Sequence, residues 1–496
     1  MSEEIWIALL MAVGLAWILM RLRRRPPSTP GRPWRRRIGI CAGWTTAGIL
    51  VLWAVADLWS RNLLEEEMVK ALSLGPLNFR ELLPPMPMAD ENGCSEVNRA
   101  GELMEARTQR SRGSAARSEE MWFWKDGYST AFSRKSSYST SKPWGPKEIQ
   151  DARTALGNAG EILNLIRQGT DRPHLRYPLD LDTGGTLFEI KLPHLQRFRA
   201  AARLLLAEAR LEAEEGHADQ AVEDVGRVAR IGRGLEEEPI LISCLVSVAI
   251  QGQALAGVDG ILRDGAQASP ESLAKLSETL RMDKDLGRRA LLGERSFGTD
   301  IYPRLMNDFS QLRRLQELDG GSSSELHFAG ELLTLPGRPW IRWQEAVSLR
   351  MHTDMIPHVE DPDRPLVDVE DIPALAILPR LLMPVLDKSR VSLLHGRALT
   401  DATRWALAVL QHRTKTGKLP ASLDEIPEAL IPDRPQDPWT AKPFVYRPEP
   451  DGSGFALYSL GHNRQDDGGE LVKRDLLTNQ PLDQGIHWKV RHSATP

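Results

Sequence analysis

Residues 207–235 read AEARLEAEEGHADQAVEDVGRVARIGRGL, and together with Leu192–Leu206 before them they carry the strongest helical signal in the chain. Phe198, Ala202, Leu205, Ala209 and Ala213 recur on one face, while Arg199, Arg203, Arg210 and Glu214 lie on another, a pattern that predicts an amphipathic helix. Gly216 stops it, because glycine accepts the left-handed conformation that other residues resist just past a helix. Asp219 is placed to cap the next helix, on which Ala221, Val225, Val228, Ala229 and Gly232 continue the apolar stripe. The result is an antiparallel helical hairpin of about 35 residues within a mainly α fold.

Directly after it, Ile240–Val258 (ILISCLVSVAIQGQALAGV) runs nineteen residues without a charge. Ser243, Ser247, Gln251 and Gln253 would set polar groups in hydrocarbon, so the segment is read as a core helix of the soluble region. A membrane crossing here would invert the topology of everything that follows. Ala274–Leu280 and Asp285–Leu292 suggest short helices. Gly293–Asp371 reads as loop-rich, with a Gly-Gly-Ser-Ser-Ser run at 320–324 and an acidic tract at 360–371. His352, Asp354, His358 and Glu360 offer metal-type ligands within nine residues. Pro357 interrupts any helix there, so these side chains have no reason to converge.

On the N-terminal side, two apolar runs stand apart from the rest. Ile5–Met20 (IWIALLMAVGLAWILM) is uncharged, and Ile38–Trp59 reads IGICAGWTTAGILVLWAVADLW. At about 1.5 Å per residue the second spans a ~30 Å hydrocarbon core, while the first is short and leans on snorkelling by Arg21. Trp6, Trp17, Trp34, Trp44, Trp53 and Trp59 gather around them as interfacial aromatics do. Between them RLRRRPPSTPGRPWRRR carries eight arginines and no acid, a cytoplasmic marker by the positive-inside rule. The acidic N-terminus and everything after Trp59 are then expected on the opposite side, the periplasm of a bacterium. The alternative is a cleaved signal peptide followed by one anchor, but a signal peptide carries its positive charge ahead of the apolar run.

The net charge is −4 over 496 residues. Residues 1–60 hold eight arginines against Glu3, Glu4 and Asp57, and subtracting that +5 leaves −9 for the remainder. A mildly acidic soluble region argues against nucleic acid as partner, since phosphate binding needs a basic surface. Cys41, Cys94 and Cys244 are widely spaced and give neither a zinc framework nor a disulfide scaffold. Between the anchor and the helical region, a short amphipathic helix is expected over Arg61–Leu74, then extended chain at Pro76, Pro84, Pro85 and Pro87. Met121–Phe132 (MWFWKDGYSTAF) fits a small hairpin turning at Asp126-Gly127; Arg107–Arg117 and Arg134–Lys142 read as solvated loops.

The C-terminal part has its own character. Val391–Arg413 predicts a helix with Leu394, Ala398, Ala402, Trp405 and Val409 on one face, ending at Gly417. GKLPASLDEI, Asp437-Pro438-Trp439, PFVYRPEP, Asp451-Gly452, FALYSLG and HNRQDDGGE follow, giving two strands joined by a Gly-bearing turn. This order, on Gly417, Pro420, Asp437, Pro438, Trp439, Tyr446, Tyr458, Ser459, Leu460 and Gly461, resembles the soluble head of the major pseudopilin of type II secretion. The methylated N-terminal segment of that family is missing. The resemblance implies a calcium-binding loop, with Asn463, Asp466, Asp467, Asp475 and the carbonyl of Leu460 as ligands; a solvated acidic turn is the alternative. An EF-hand does not fit, because with Asn463 first Arg474 takes the twelfth place, where glutamate is needed. The whole chain also resembles uncharacterised bacterial membrane-anchored envelope proteins, which implies a location and no activity.

Five regions are therefore expected: 1–60, two transmembrane helices; 61–145, an irregular membrane-proximal region; 146–292, a helical domain with a single tetratricopeptide-like hairpin; 293–385, a loop-rich connector; and 386–496, a pseudopilin-like α/β unit. No nucleophile elbow, phosphate-binding loop or Cys/His zinc spacing is present. The leading expectation is a non-catalytic protein of the bacterial inner membrane with residues 60–496 periplasmic. Its partners would be the lipid bilayer and other envelope proteins or the cell wall. An accessory part of a secretion or pilus-like system, and an envelope hydrolase, are the alternatives.

Overall fold

A computed structural model describes residues 33–113, 144–182, 185–263, 268–307, 337–469 and 483–489. The expected first membrane helix at 5–20, the hairpin at Met121–Phe132, the loop at Arg134–Lys142 and the candidate ligand Asp475 lie outside them. The protein is mainly helical, with a small three-stranded antiparallel sheet near its C-terminus.

The chain enters on α1 (Pro33–Leu72), a single helix of 40 residues. The expected break between an anchor and a short exit helix at Arg61 is not there. Nothing in the sequence after Trp59 stops a helix, and SRNLLEEEMVKAL is rich in strong helix formers. Then come α2 (Cys94–Gly113), α3 (Pro146–Asn158) and α4 (Gly160–Thr170). Helix α2 runs through the stretch read as a loop from Arg107, whose guanidinium donates to the Asn158 carbonyl of α3 at 3.1 and 3.2 Å.

The hairpin forms as α5 (Pro193–Glu214) and α6 (Ala218–Gly234). Gly216 closes it at φ +87°, as its position demands. Asp219 does not cap α6. Its carboxylate instead accepts the Ser269 amide at 2.7 Å, ahead of α8 (Pro270–Thr279). Helix α7 (Leu241–Arg263) precedes α8 and passes through the middle of the body. Two of its polar residues find partners inside the body: Ser243 Oγ donates to Glu238 Oε2 at 2.6 Å and Gln251 Nε2 to the Ala229 carbonyl at 3.1 Å, while Ser247 Oγ and Gln253 Oε1 are buried without one.

Among the described residues two helical stretches are long and apolar enough to cross a membrane, Gly43–Leu72 of α1 and Leu241–Ile261 of α7. Their surroundings differ. The apolar window of the first is 17% buried and that of the second 67%, so α7 is packed as a core helix while α1 leaves its apolar face bare.

The remaining helices are α9 (Leu286–Asn307), α10 (Arg338–Met355) and α11 (Ile377–Thr416), the last closed by Gly417 at φ +76°. Strands β1 (Val445–Pro448), β2 (Gly454–Ser459) and β3 (Gln484–Lys489) pair antiparallel in that order. The first two join through Gly452 at φ +68°, as the sequence indicated; the third was not foreseen. The sheet lies on α11 and α7. One hydrophobic core therefore runs from Val97 through Phe198, Val228 and Ile250 to Leu457 and Trp488, and the C-terminal unit is not set apart from the helical body. A second cluster joins Ala56 of α1 with Leu291, Trp343, Ile356 and Met383.

The region 293–385, expected to be mostly loop, contains α10 and the first turns of α11. Glu345, Ser348 and His352 of α10 are buried polar residues, and they erase the apolar periodicity by which a helix is recognised.

Close packing between α9 and the turn before α7 rests on Gly293. A Cβ there would lie 1.5 Å from the carbonyl oxygen of Pro239, which no side-chain motion relieves. Gly293→Ala is expected to cost at least about 3 kcal/mol. Gly252→Ala on α7, where a Cβ meets nothing within 4 Å, should stabilise by up to about 1 kcal/mol. Thermal unfolding of the two variants checks both.

Candidate functional site

The sequence-predicted ligands do not all come together. Asp466 accepts from Tyr458 Oη at 2.9 Å and from Arg447 Nη2 at 2.6 Å, so its charge is already matched. Asn463 Nδ2 donates to Asp467 Oδ2 at 2.8 Å. Leu460 donates its amide to Asp437 Oδ2 at 3.2 Å. The loop holds one further carboxylate that sequence reasoning missed. Asp483, fully buried ahead of β3, accepts the Gly469 amide on Oδ2 at 2.7 Å and leaves Oδ1 without a partner. Burial, aided by Asp467 and Asp466, pushes its carboxyl up to about 6. Asp467 and Asp466 thus both act on the buried Asp483 carboxyl, while Asp466 also faces a guanidinium.

Asp437, singled out with Pro438 and Trp439, has a structural task. Its carboxylate accepts the Trp439 amide at 3.0 Å, Ser459 Oγ at 2.8 Å and the Leu460 amide at 3.2 Å. It thereby ties the turn after α11 to the end of β2.

His352, Asp354, His358 and Glu360 point to different neighbours. The His352 ring is buried, with Nδ1 2.8 Å from the Ser348 carbonyl. Asp354 pairs with Arg364, and Glu360 with Arg397. Among the described residues the ligand atoms of Glu212, Glu215 and His217 do lie within 4.8 Å of one another at the α5–α6 turn. They are consumed by each other and by Arg153, which donates to Glu215 Oε1 through Nε at 2.9 Å.

A cleft of about 530 Å³ opens where α4, α6 and α8 end, lined by Arg172, His174, Arg233, Glu236, Arg281 and Asp283 among others. Three helix C-termini turn partial negative charge into it, and the arginines offset that charge. Glu236 lies at its floor, accepts the Asp283 amide at 3.2 Å and is pushed up to about 7 by burial. This wall of balanced charge contains neither serine nor cysteine. It can hold a polar surface.

The most built-up arrangement is the junction where α1 meets α9 and α10. Asp57, 8% exposed, pairs with Arg342 of α10 and with Arg61. One stretch further on, Glu67, 2% exposed, meets Arg350 Nη2 at 2.9 Å and Lys70 Nζ at 3.3 Å. At the end of α1 the buried Arg295 of α9 donates to the carbonyls of Ala71 at 2.7 Å, Gly75 at 2.9 Å and Pro76 at 3.0 Å. Of these only Ala71 belongs to α1, whose last carbonyls also accept the amides of Ser73, Leu74 and Gly75; the guanidinium fork gathers the turn that follows the helix. In contrast Trp44, Leu50, Val51, Leu52, Val55 and Leu58, along the middle of α1, stand more than half exposed. No protein-family model matches the chain, and no curated protein or solved structure is significantly similar to it.

Glu345 of α10, 1% exposed near this junction, is pushed up to about 8 by burial, against the pull of Arg342. The folded chain keeps that proton up to about pH 8, whereas an unfolded glutamate releases it near 4.5. Stability should therefore fall as pH rises between those values. Glu345→Gln is expected to flatten this slope and to gain on the order of 2 kcal/mol at the alkaline end. Denaturant titrations of both proteins across that range measure it.

Proposed function

We propose that this chain is a non-catalytic, membrane-anchored envelope protein that holds a helical body and a small sheet unit at a bilayer for contact with other proteins or the cell wall. The observation that carries the reading is the continuity of α1. The same 40-residue helix presents bare apolar side chains from Trp44 to Leu58 and, at Asp57 and Glu67, buried carboxylates ion-paired to the body. Ala56 and Trp59 already pack against the protein, so the membrane segment is Ile38–Val55. At about 1.5 Å per residue it measures about 27 Å, close to a hydrocarbon core. The arginines ahead of it set that end in the cytoplasm and the body on the opposite face.

Two outcomes are expected. The protein stays with membranes after carbonate extraction, and an impermeant maleimide labels Lys415→Cys in intact spheroplasts but Ser28→Cys only after permeabilisation. Release by carbonate, or the reverse labelling, sinks the reading.

The loop 460–469 together with Asp483 is further proposed to take a calcium ion. Asp467, Asp483 and the Leu460 carbonyl supply hard oxygens of the kind calcium accepts, and the unpaired Asp483 Oδ1 supports the reading because a cation would satisfy it. Asp466 would have to exchange Arg447 for the ion. At about 100 times Kd, calcium should add about 2.7 kcal/mol to the stability of the full chain. A rise in Tm that Asp467→Asn abolishes is the expected result, and an unmoved Tm in a chelator-cleaned titration removes the site.

A further inference from the structure

We infer that the first turns of α11 form a second contact with the bilayer, seated at the headgroup boundary beside α1; this rests on the reading of α1 as a membrane-spanning helix. Ile377 and Leu381, one turn apart on the same face, are 56% and 65% exposed, and Leu382 beside them is exposed as well. Large apolar side chains grouped in this way mark an interaction surface.

Their height relative to the membrane follows from α10. Asp57 pairs with Arg342 and Glu67 with Arg350, so α10 runs parallel to α1 and its N-terminus points to the membrane end. Trp340, two residues before Arg342, therefore lies level with Val55, about 3 Å nearer the bilayer than Asp57. Its indole Nε1 donates to the Leu375 carbonyl at 3.1 Å, and Gln344 Oε1 accepts the Leu378 amide at 3.2 Å. These bonds hold Leu375 and Leu378 beside the stretch of α1 from Val55 to Trp59, where Val55 and Leu58 face outward, and Ile377 and Leu381 lie on this first part of α11. Ala56 and Trp59 share one cluster with Leu375, Ala376 and Met383.

The patch thus continues the bare face of α1 and has the same occupant, the acyl and headgroup boundary of the lipid. Electrostatics does not supply the attraction. Arg380 donates to the Ile372 carbonyl, and Asp368, Glu370 and Asp371 nearby are exposed acids. Binding therefore comes from apolar insertion, as for an interfacial helix.

The test uses the full chain in phosphatidylcholine vesicles, carrying Cys41→Ser, with a fluorophore on Leu381→Cys, Leu52→Cys or Lys415→Cys. Cys94 and Cys244 are buried and stay unlabelled. Nitroxide-bearing lipid and aqueous iodide serve as quenchers. The lipid quencher is expected to act severalfold more strongly than iodide at positions 381 and 52, with the order reversed at 415. Iodide quenching at 381 with lipid quenching kept at 52 overturns the second contact and leaves the anchor standing. Protection of 381 from both quenchers overturns it too, since protein rather than lipid then covers the patch. Iodide quenching at 52 removes the membrane reading and this inference with it.

Discussion

The turn by which the chain leaves α1 is held by one buried arginine, while the last carbonyls of the helix accept the amides of Ser73, Leu74 and Gly75. Arg295 brings its guanidinium to the end of α1 and takes the carbonyls of Ala71, Gly75 and Pro76. Burial draws its own pKa down to about 10, so it remains charged at any physiological pH and the clamp does not titrate away. Everything around the junction depends on that grip. The ion pairs of Asp57 and Glu67 fix the rotation of α1 about its axis, which decides which face turns to the protein and which stays bare. Each pair lies at an inward-facing carboxylate, where loss of one partner leaves a charge stranded.

The body behind the junction is built on the same rule in other forms. Several polar groups enter the core in company: Ser243 with Glu238, Gln251 with the Ala229 carbonyl, Asp437 with four donors from two segments. Arg404 meets Asp433 through both nitrogens, at 2.9 and 2.6 Å, so that α11 also holds the loop leading to the sheet. Arg413 of α11 stacks over Trp488 of β3 at 4.7 Å. These links explain why the sheet shares a core with α7 although some two hundred residues separate them.

The parts legible in the sequence were those where hydrophobic periodicity and stop signals agree. The α5–α6 hairpin, the glycine at 216, the packed nature of α7 and the Asp451-Gly452 turn follow from side-chain type alone. Helix α10 was hidden for a physical reason: its inward face is written in Glu345, Ser348 and His352, groups that periodicity counts as solvent. The unity of α1 was hidden differently, because an apolar run followed by charges reads as two elements when the backbone does not distinguish them. Of the candidate ligands, the place of Asp483 against Gly469 of the loop depends on β3 returning to the sheet, and nothing local to Asp483 signals that return.

Helix α11 has a mechanical consequence. Its 40 residues make a rod of about 60 Å, with one end near α1 and the other carrying the sheet. Such a rod is a lever. A tilt of about five degrees at Ile377 would sweep the Thr416 end through about 5 Å over that length.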